Sequence, residues 1–313
     1  MSASFPQGQP NRRRARVIAA HGRQLRVQTA EGEQLMVRSS ARAGQAVCGD
    51  EVDCEYDALH QELRVVALAP RSSALYRSNA RGKSEPVAAN LSLLAIVVAP
   101  LPVPDFFIVD RYLAAAQCAG IAACVLLNKA ELATEPEIEA ELRNYERLGL
   151  TVLRLSALTG QGLTELMALL RGQTAALVGQ SGVGKSSLLR ALVPDSAASV
   201  GALVRDDEGR HTTTATYFYS LPGGGAILDS PGVRDFAPAL DRLHDAALGF
   251  SEIEALSPGC RFGDCRHLRE PNCAVRGALG AQISERRYES YRRLRRLTER
   301  LRPAPGSRGQ LKE

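Results

Sequence analysis

Between residues 15 and 69 apolar and polar positions alternate in short runs, and each run ends on a turn. Arg16–Ala20, Gln24–Thr29, Gln34–Arg38, Glu51–Tyr56 and Leu63–Leu68 read as strands, punctuated by His21-Gly22, Glu31-Gly32 and Cys48-Gly49-Asp50. Five such strands in so short a stretch predict a small antiparallel β-barrel of the OB-fold kind, although an SH3-like barrel has the same pattern. From residue 90 to 235 the period changes. Apolar runs at Leu93–Ala99, Ala122–Leu127, Val152–Leu155, Ala175–Val178 and Gly225–Leu228 alternate with helical segments at Asp110–Gln117, Ile138–Leu148, Leu163–Arg171 and Lys185–Leu192. That alternation predicts a parallel sheet with crossover helices. The remainder, 239–313, reads as helical with one Cys/His-rich insert. Within it Tyr288, Tyr291, Leu294, Leu297 and Leu301 recur at three- and four-residue steps, predicting an amphipathic helix over 284–301. Arg286, Arg287, Arg292, Arg293, Arg295 and Arg296 are expected to point away from that stripe.

The pattern divides the chain into a basic tail (1–14), a barrel (15–70), an α/β domain (71–238) and a helical domain with a basic end (239–313). Composition agrees with a folded, multidomain chain: 313 residues, 45% hydrophobic and 23% charged, with no Trp, so aliphatic residues must fill the cores. The longest apolar stretch, Leu93–Leu101, falls far short of the ~20 residues a bilayer span needs. The first fourteen residues are polar and Arg-rich, without the apolar centre of an export signal, which predicts a cytoplasmic protein. A net charge of +5 hides an uneven distribution. Residues 1–30 carry six arginines and no acid, and 284–313 carry ten basic against four acidic residues, leaving the middle at −7. Basic ends suit a polyanionic partner. Arginine is 35 of the 39 basic residues, however, which a GC-rich genome produces without any ligand. Seven cysteines make no disulfide framework, and Cys48, Cys54, Cys118 and Cys124 are expected to be buried thiols.

The chemistry begins at Gly179-Gln180-Ser181-Gly182-Val183-Gly184-Lys185-Ser186, with Ser187 behind it, between a predicted strand and a predicted helix. This is a GxxxxGK[ST] phosphate loop: glycines let backbone amides turn inward, and the helix N-terminus adds positive potential. Lys185 should reach the β- and γ-phosphates, and Ser186 should ligate Mg²⁺. Asp229-Ser230-Pro231-Gly232 closes the next apolar strand, so Asp229 is expected near the metal and the Gly232 amide at the γ-phosphate. Between them lies His211-Thr212-Thr213-Thr214, one threonine of which, taken here as Thr213, could close over Mg²⁺. Asn128-Lys129-Ala130-Glu131 ends the strand Ala122–Leu127. Guanine offers two adjacent N–H donors that one carboxylate can accept, and Glu131 stands where Asp is usual. Its extra methylene moves the carboxylate by ~1.5 Å, which predicts weaker guanine selectivity. Ser156 and Ala157 end the next strand, where a backbone amide would meet guanine O6. Together the two strand ends favour GTP over ATP.

The order of these motifs is unusual. A GTPase normally runs phosphate loop, threonine switch, DxxG, NKxD, SAx; here the last two come first. A circular permutation places the same loops in the same site. In GQSGVGKSS, RHTTT, DSPG and CxxxxCxHxxxxxC, from about residue 15 to 300, the chain resembles the ribosome small-subunit-dependent GTPase family (RsgA, also called YjeQ). The resemblance implies an OB-fold, a permuted GTPase domain and a C-terminal zinc domain.

Cys260, Cys265, His267 and Cys273 place three thiolates and one imidazole within fourteen residues. Four such ligands suit one tetrahedral Zn²⁺ with no open position, hence a structural ion. Few apolar residues surround it in sequence, so the metal is expected to supply folding energy. In the resembled family these four positions are the zinc ligands. The functional expectation is GTP hydrolysis to GDP, with Mg²⁺, by a monomer that binds the small ribosomal subunit and its rRNA and assists late maturation. Val233 follows DSPG where many GTPases carry a water-positioning Gln, so turnover should be slow and subunit-stimulated; His211 is the candidate to position water, beside Lys185. Next to an OB-fold and a zinc module, the arginines of 284–301 are expected to contact RNA phosphate. The alternatives are an RNA-binding nucleotide sensor with incidental hydrolysis, and a P-loop ATPase.

Overall fold

A computed structural model of the chain describes residues 12–40, 43–79, 83–193, 216–229, 238–243 and 247–301. The first five strands are β1 (Arg13–His21), β2 (Gln24–Thr29), β3 (Gln34–Arg38), β4 (Glu51–Asp57) and β5 (Glu62–Leu68). They pair in the order β1-β2-β3-β5-β4, and β4 returns to β1, which closes the barrel. Only the β3–β5 pairing is parallel. This is the five-stranded OB arrangement, and the SH3-like alternative is set aside. Its core follows the alternation in the sequence: Val17, Leu25, Val27, Val37, Val52, Cys54 and Val65 point inward. At Gly49 the chain needs the left-handed region (φ 92°), and a Cβ there would strike the Ala89 carbonyl. The Cys48–Asp50 turn therefore also fastens the barrel to the chain around Ala89.

A hairpin that the periodicity does not announce, β6 (Ala74–Ser78) and β7 (Ser84–Ala89), leads into the second unit. There β8 (Leu93–Val98), β9 (Ala122–Leu127), β10 (Thr151–Arg154), β11 (Thr174–Val178) and β13 (Ala226–Asp229) form a parallel sheet in the order β10-β9-β8-β11-β13. All six residues of β8 are buried, as a central parallel strand requires. Helices α1 (Phe106–Cys118) and α2 (Pro136–Arg147) cover one face through Val109, Tyr112, Leu142 and Tyr145. Helices α3 (Leu163–Leu170) and α4 (Lys185–Leu192) cover the other through Leu166, Leu170, Leu188 and Leu192. Strand β12 (Thr216–Ser220) runs antiparallel beside β13 and also pairs with β1, so barrel and α/β sheet are one continuous sheet.

The C-terminal region contributes α5 (Ser251–Leu256), α6 (Ala274–Gly277) and α7 (Glu285–Leu301). The stripe of α7 is core as predicted, with Tyr288, Tyr291 and Leu294 buried against Phe250, Ile253, Val275 and Ile283. Its arginines depart from expectation. Arg287 and Arg295 are buried at 5% and 7% exposure, and Arg286 is half-buried. The reason is that α7 packs on two sides, against its own module and against α1. The second face meets Asp110 of α1 and Glu141 of α2, which together with Glu252 of α5 pair with Arg286 and Arg287, while Arg295 donates to the Tyr291 hydroxyl. Arg293 and Arg296 are exposed. Among the described residues no helix is long and apolar enough to cross a membrane.

Candidate nucleotide site and metal centre

Register brings the predicted loops to one edge of the sheet. Val178 pairs with Ile96, Leu127 with Val98 and Arg154 with Leu127, so the carboxyl ends of β8, β9, β10 and β11 lie level, and β13 ends beside β11. Ligand-binding loops of open α/β sheets gather at that edge. The phosphate loop follows β11. Gly179 is pressed so closely on β8 that a Cβ would strike the Val97 carbonyl, and a Cβ on Gly184 would strike the Asn128 carboxamide. Lys185 is buried, and its Nζ donates to the carbonyls of Gly179 and Gln180, both at 2.7 Å, which holds the ammonium within the loop. Ser181 and Gly182 are exposed, Ser186 is half-buried and Ser187 is exposed at the first turn of α4. Asp229 is buried at the end of β13.

Asn128 joins the two halves of the edge. Its Nδ2 donates to the Val183 carbonyl at 2.9 Å, and its Oδ1 accepts the Ala157 amide at 3.1 Å. Of the backbone amides at this strand end, one of which was anticipated at guanine O6, that of Ala157 is thus engaged within the protein. Lys129 adopts φ 63° and donates from Nζ to the Leu101 carbonyl at 2.7 Å, while the Ala130 amide donates to the Leu155 carbonyl at 3.1 Å. Ser156 is fully buried, and its Oγ accepts the Thr159 amide at 3.0 Å. The Ser156 hydroxyl and Glu131's own amide hold the exposed Glu131 carboxyl below the usual range. It is an ionised acceptor at neutral pH. Gln180 has a role that the motif does not announce: its Oε1 accepts the Asp105 amide at 2.8 Å, and Asp105 caps α1 by accepting the Phe107 amide. The Asp-Phe-Phe boundary after two prolines was the available signal. His211, Thr213 and Gly232 lie outside the described residues.

The four predicted metal ligands converge, with all donor atoms within 4.8 Å of one another. Tetrahedral coordination at about 2.3 Å to sulfur and 2.05 Å to nitrogen separates two sulfurs by about 3.8 Å, and sulfur from nitrogen by about 3.5 Å. Cys260 Sγ and Cys273 Sγ are 3.8 Å apart, and His267 Nδ1 lies 3.5 and 3.4 Å from them. The imidazole is oriented from behind. Ser257 Oγ donates to the Ile253 carbonyl at 2.6 Å, which leaves it to accept from His267 Nε2 at 3.0 Å. That fixes the proton on Nε2 and presents the Nδ1 lone pair to the cluster. Burial and the nearby Arg295 lower the His267 pKa, which keeps the ring neutral. The donor set can coordinate a metal ion. Contrary to expectation it is not isolated from apolar side chains, because Cys260, Cys265 and Cys273 pack on the core of α5–α7. The other thiols behave as predicted in part: Cys48, Cys54 and Cys124 are buried, while Cys118 is half-buried. Burial first, with Asp53 adding to it, pushes Cys54 up to about 11, and burial pushes Cys124 up to about 12.

A chain that reaches its phosphate loop only on the fourth strand of its parallel sheet, after the loops of the base side, is a circularly permuted P-loop GTPase. Residues 68–238 match the RsgA GTPase family, and the chain belongs to that family. It is 47% identical over 235 residues to the small ribosomal subunit biogenesis GTPase RsgA of Azotobacter vinelandii, covering 74% of this chain and 68% of that protein. With the protein of the same name from Pseudomonas fluorescens it shares 46% over 233 residues, covering 73% and 68%. The crystal structure of YjeQ from Thermotoga maritima superposes with a TM-score of 0.70 at 26% identity, covering 93% of this chain and all of that one. YloQ, described as a circularly permuted GTPase, superposes at 0.69 and 21% identity over 96% of this chain and all of its own, a likeness of fold.

Proposed function

We propose that this GTPase acts in the biogenesis of the small ribosomal subunit, hydrolysing GTP to GDP and phosphate late in maturation, with the subunit accelerating turnover. The observation that carries the reading is the Asn128 bridge, which fastens the phosphate loop to the Ser156–Ala157 loop across one sheet edge. A nucleotide with guanine at one end and phosphates at the other spans the loops so joined. The two relatives named for small-subunit biogenesis support the partner. Glu131 accepts the guanine N1–H and N2–H, and Ser156-Ala157 and Lys129 border the base. Backbone amides from Gly179 to Ser187 cradle the phosphates, and Lys185 exchanges its two carbonyl acceptors for β- and γ-phosphate oxygens. Gly232 gives its amide to the γ-phosphate, and His211 orients the attacking water. Ser186, Thr213 and Asp229 are hard oxygen donors that fit Mg²⁺, which supplies charge neutralisation at the phosphates.

The ion at Cys260, Cys265, His267 and Cys273 is Zn²⁺ in a structural role. Residues 15–70 form the RNA-facing barrel, 71–238 the GTPase domain and 239–313 the zinc domain, the 1–14 tail adding positive charge. The protein acts as a cytoplasmic monomer. Phosphate release from GTP and ATP, each with and without purified small subunits, tests the reading. Slow GTP turnover that small subunits raise at least tenfold, with ATP unaffected, is the expected result. Binding without stimulation, or a preference for ATP, would overturn it.

A further inference from the structure

The loop that carries the metal ligands exposes a side chain that a structural site does not require. Phe262, between Cys260 and Cys265, is 40% exposed, and the Arg261 guanidinium lies 5.4 Å from its ring centroid. Arg269 is exposed on the same loop, and Arg276 is exposed on α6, which follows it. These three arginines lack the carboxylate partners that Arg12, Arg13, Arg16, Arg38 and Arg64 of the barrel have, a lack they share with Arg23 and Arg26 of the barrel. Among the described residues Arg261, Arg269 and Arg276 form no ion pair; the Arg276 guanidinium donates to the Glu270 backbone carbonyl at 3.3 Å, and its amide to Cys273 Sγ at 3.5 Å. Asp264, two residues from Phe262, is exposed, while the loop's other acid, Glu270, is taken up by backbone amides. Glu270 accepts the amides of Arg266, Leu268 and Arg269 at 3.0, 2.8 and 2.9 Å. Against the cost of burial, those amides and its own hold its carboxyl down at about 2.

The loop is also braced by hydrogen bonds. The Tyr288 hydroxyl donates to the His267 carbonyl at 2.5 Å and the Tyr291 hydroxyl to the Arg266 carbonyl at 3.0 Å. The Arg261 amide donates to the Asn272 carbonyl at 3.3 Å, closing the loop on itself. We propose that Phe262 and Arg261 form a stacking platform for one unpaired RNA base, with Arg269 and Arg276 meeting the adjoining phosphates. A flat aromatic face with a guanidinium beside it suits any base, and guanidiniums without carboxylate partners suit phosphate. A protein partner would need apolar complementarity around the ring, and the loop offers arginines there. The site deepens the small-subunit reading and rests on it for the identity of the RNA.

The chain has no Trp, so Phe262→Trp installs a single tryptophan at the platform, excited selectively over the tyrosines at its red edge. The probes are a short single-stranded RNA, the same RNA in a duplex, poly-glutamate and purified small subunits. Single-stranded RNA is expected to quench the tryptophan, and duplex and poly-glutamate to leave it unchanged. Phe262→Ala and Phe262→Leu are expected to weaken small-subunit binding about tenfold, near the low end of base–aromatic stacking, while Phe262→Tyr keeps it. Metal content and unstimulated GTP hydrolysis stay at wild-type values in all of them. No quenching by single-stranded RNA, quenching by poly-glutamate, or full subunit affinity in Phe262→Leu would overturn the proposal. Failure of the wild type to bind small subunits would sink the proposed function instead, and the oligonucleotide measurement would still decide the platform.

Discussion

Asn128 sits in a motif read for its base contact, yet its two hydrogen bonds run to the protein. It is 2% exposed, so removing its carboxamide leaves the Val183 carbonyl and the Ala157 amide without their partner in a closed space. An unmade buried hydrogen bond costs about 1–3 kcal/mol, and two are at stake here. Asn128→Ala is therefore expected to weaken GDP and GTP alike by about ten- to a hundredfold, because in the proposed function the loops it holds serve both ends of the nucleotide. Calorimetric titration with each nucleotide checks this; a loss confined to GTP, or none, would contradict the bridging role. Gly184 belongs to the same contact, since its missing Cβ is the room that the Asn128 carboxamide occupies. The motif spacing alone made Gly184 a phosphate-loop glycine, and the contact gives it a second reason.

At the scale of elements the metal module makes the sharpest demand. Its helices α5 and α6 are six and four residues long, too short to hold their shape without tertiary support. The Phe250–Tyr291 core provides part of that support, and in the proposed function an ion held by the four donors provides the rest. Cys265→Ser is expected to lose the bound ion and melt α5 and α6 with the connecting loop. Nucleotide affinity should stay within a few-fold of wild type, since α4 and the β11 edge lie in another core. Metal analysis with circular dichroism tests this, and a full equivalent of zinc retained by the folded variant would refute the ligand assignment. These elements differ in how far the sequence foretold them. Strands β2 and β3 and helix α4 match their predicted ranges because alternation and the phosphate-loop motif both mark them. Strand β12 was not legible as a barrel neighbour because it pairs with a distant segment, as Tyr217 does with Ala19, and the β6–β7 hairpin, though local, carries no strict alternation in ALYRS and SEPVAA. The buried arginines of α7 were hidden for a related reason: only the position of Asp110, 177 residues from Arg287, decides which face is solvent.

Over the whole molecule, two seams hold the GTPase core to its neighbours, and they differ in chemistry. The barrel joins through backbone, as β12 continues its sheet into β1. The C-terminal module joins through buried charge. Asp110 of α1 is wholly buried and takes the Tyr145 hydroxyl at 2.8 Å, Arg286 at 2.6 Å and Arg287 at 2.7 Å. Arg287 continues to Glu252 of α5 at 2.5 Å, and Arg286 to Glu141 of α2 at 2.6 Å. A buried ion network contributes little over an apolar replacement, but a broken one strands a charge in low dielectric at a cost of about 3–5 kcal/mol. Asp110→Ala leaves Arg287 with Glu252 alone and opens the seam. The expected result is loss of a single cooperative melt: the C-terminal module unfolds first, by calorimetry, while GTP still protects the core. Because the groups are buried, added salt at roughly 0.5 M should change the wild-type melt little. Asp110→Leu with Arg287→Met removes both charges, and should recover most of the lost stability if the charge, not the shape, is what fails. A double variant no more stable than Asp110→Ala, or an Asp110→Ala protein that melts as the wild type does, would refute the seam.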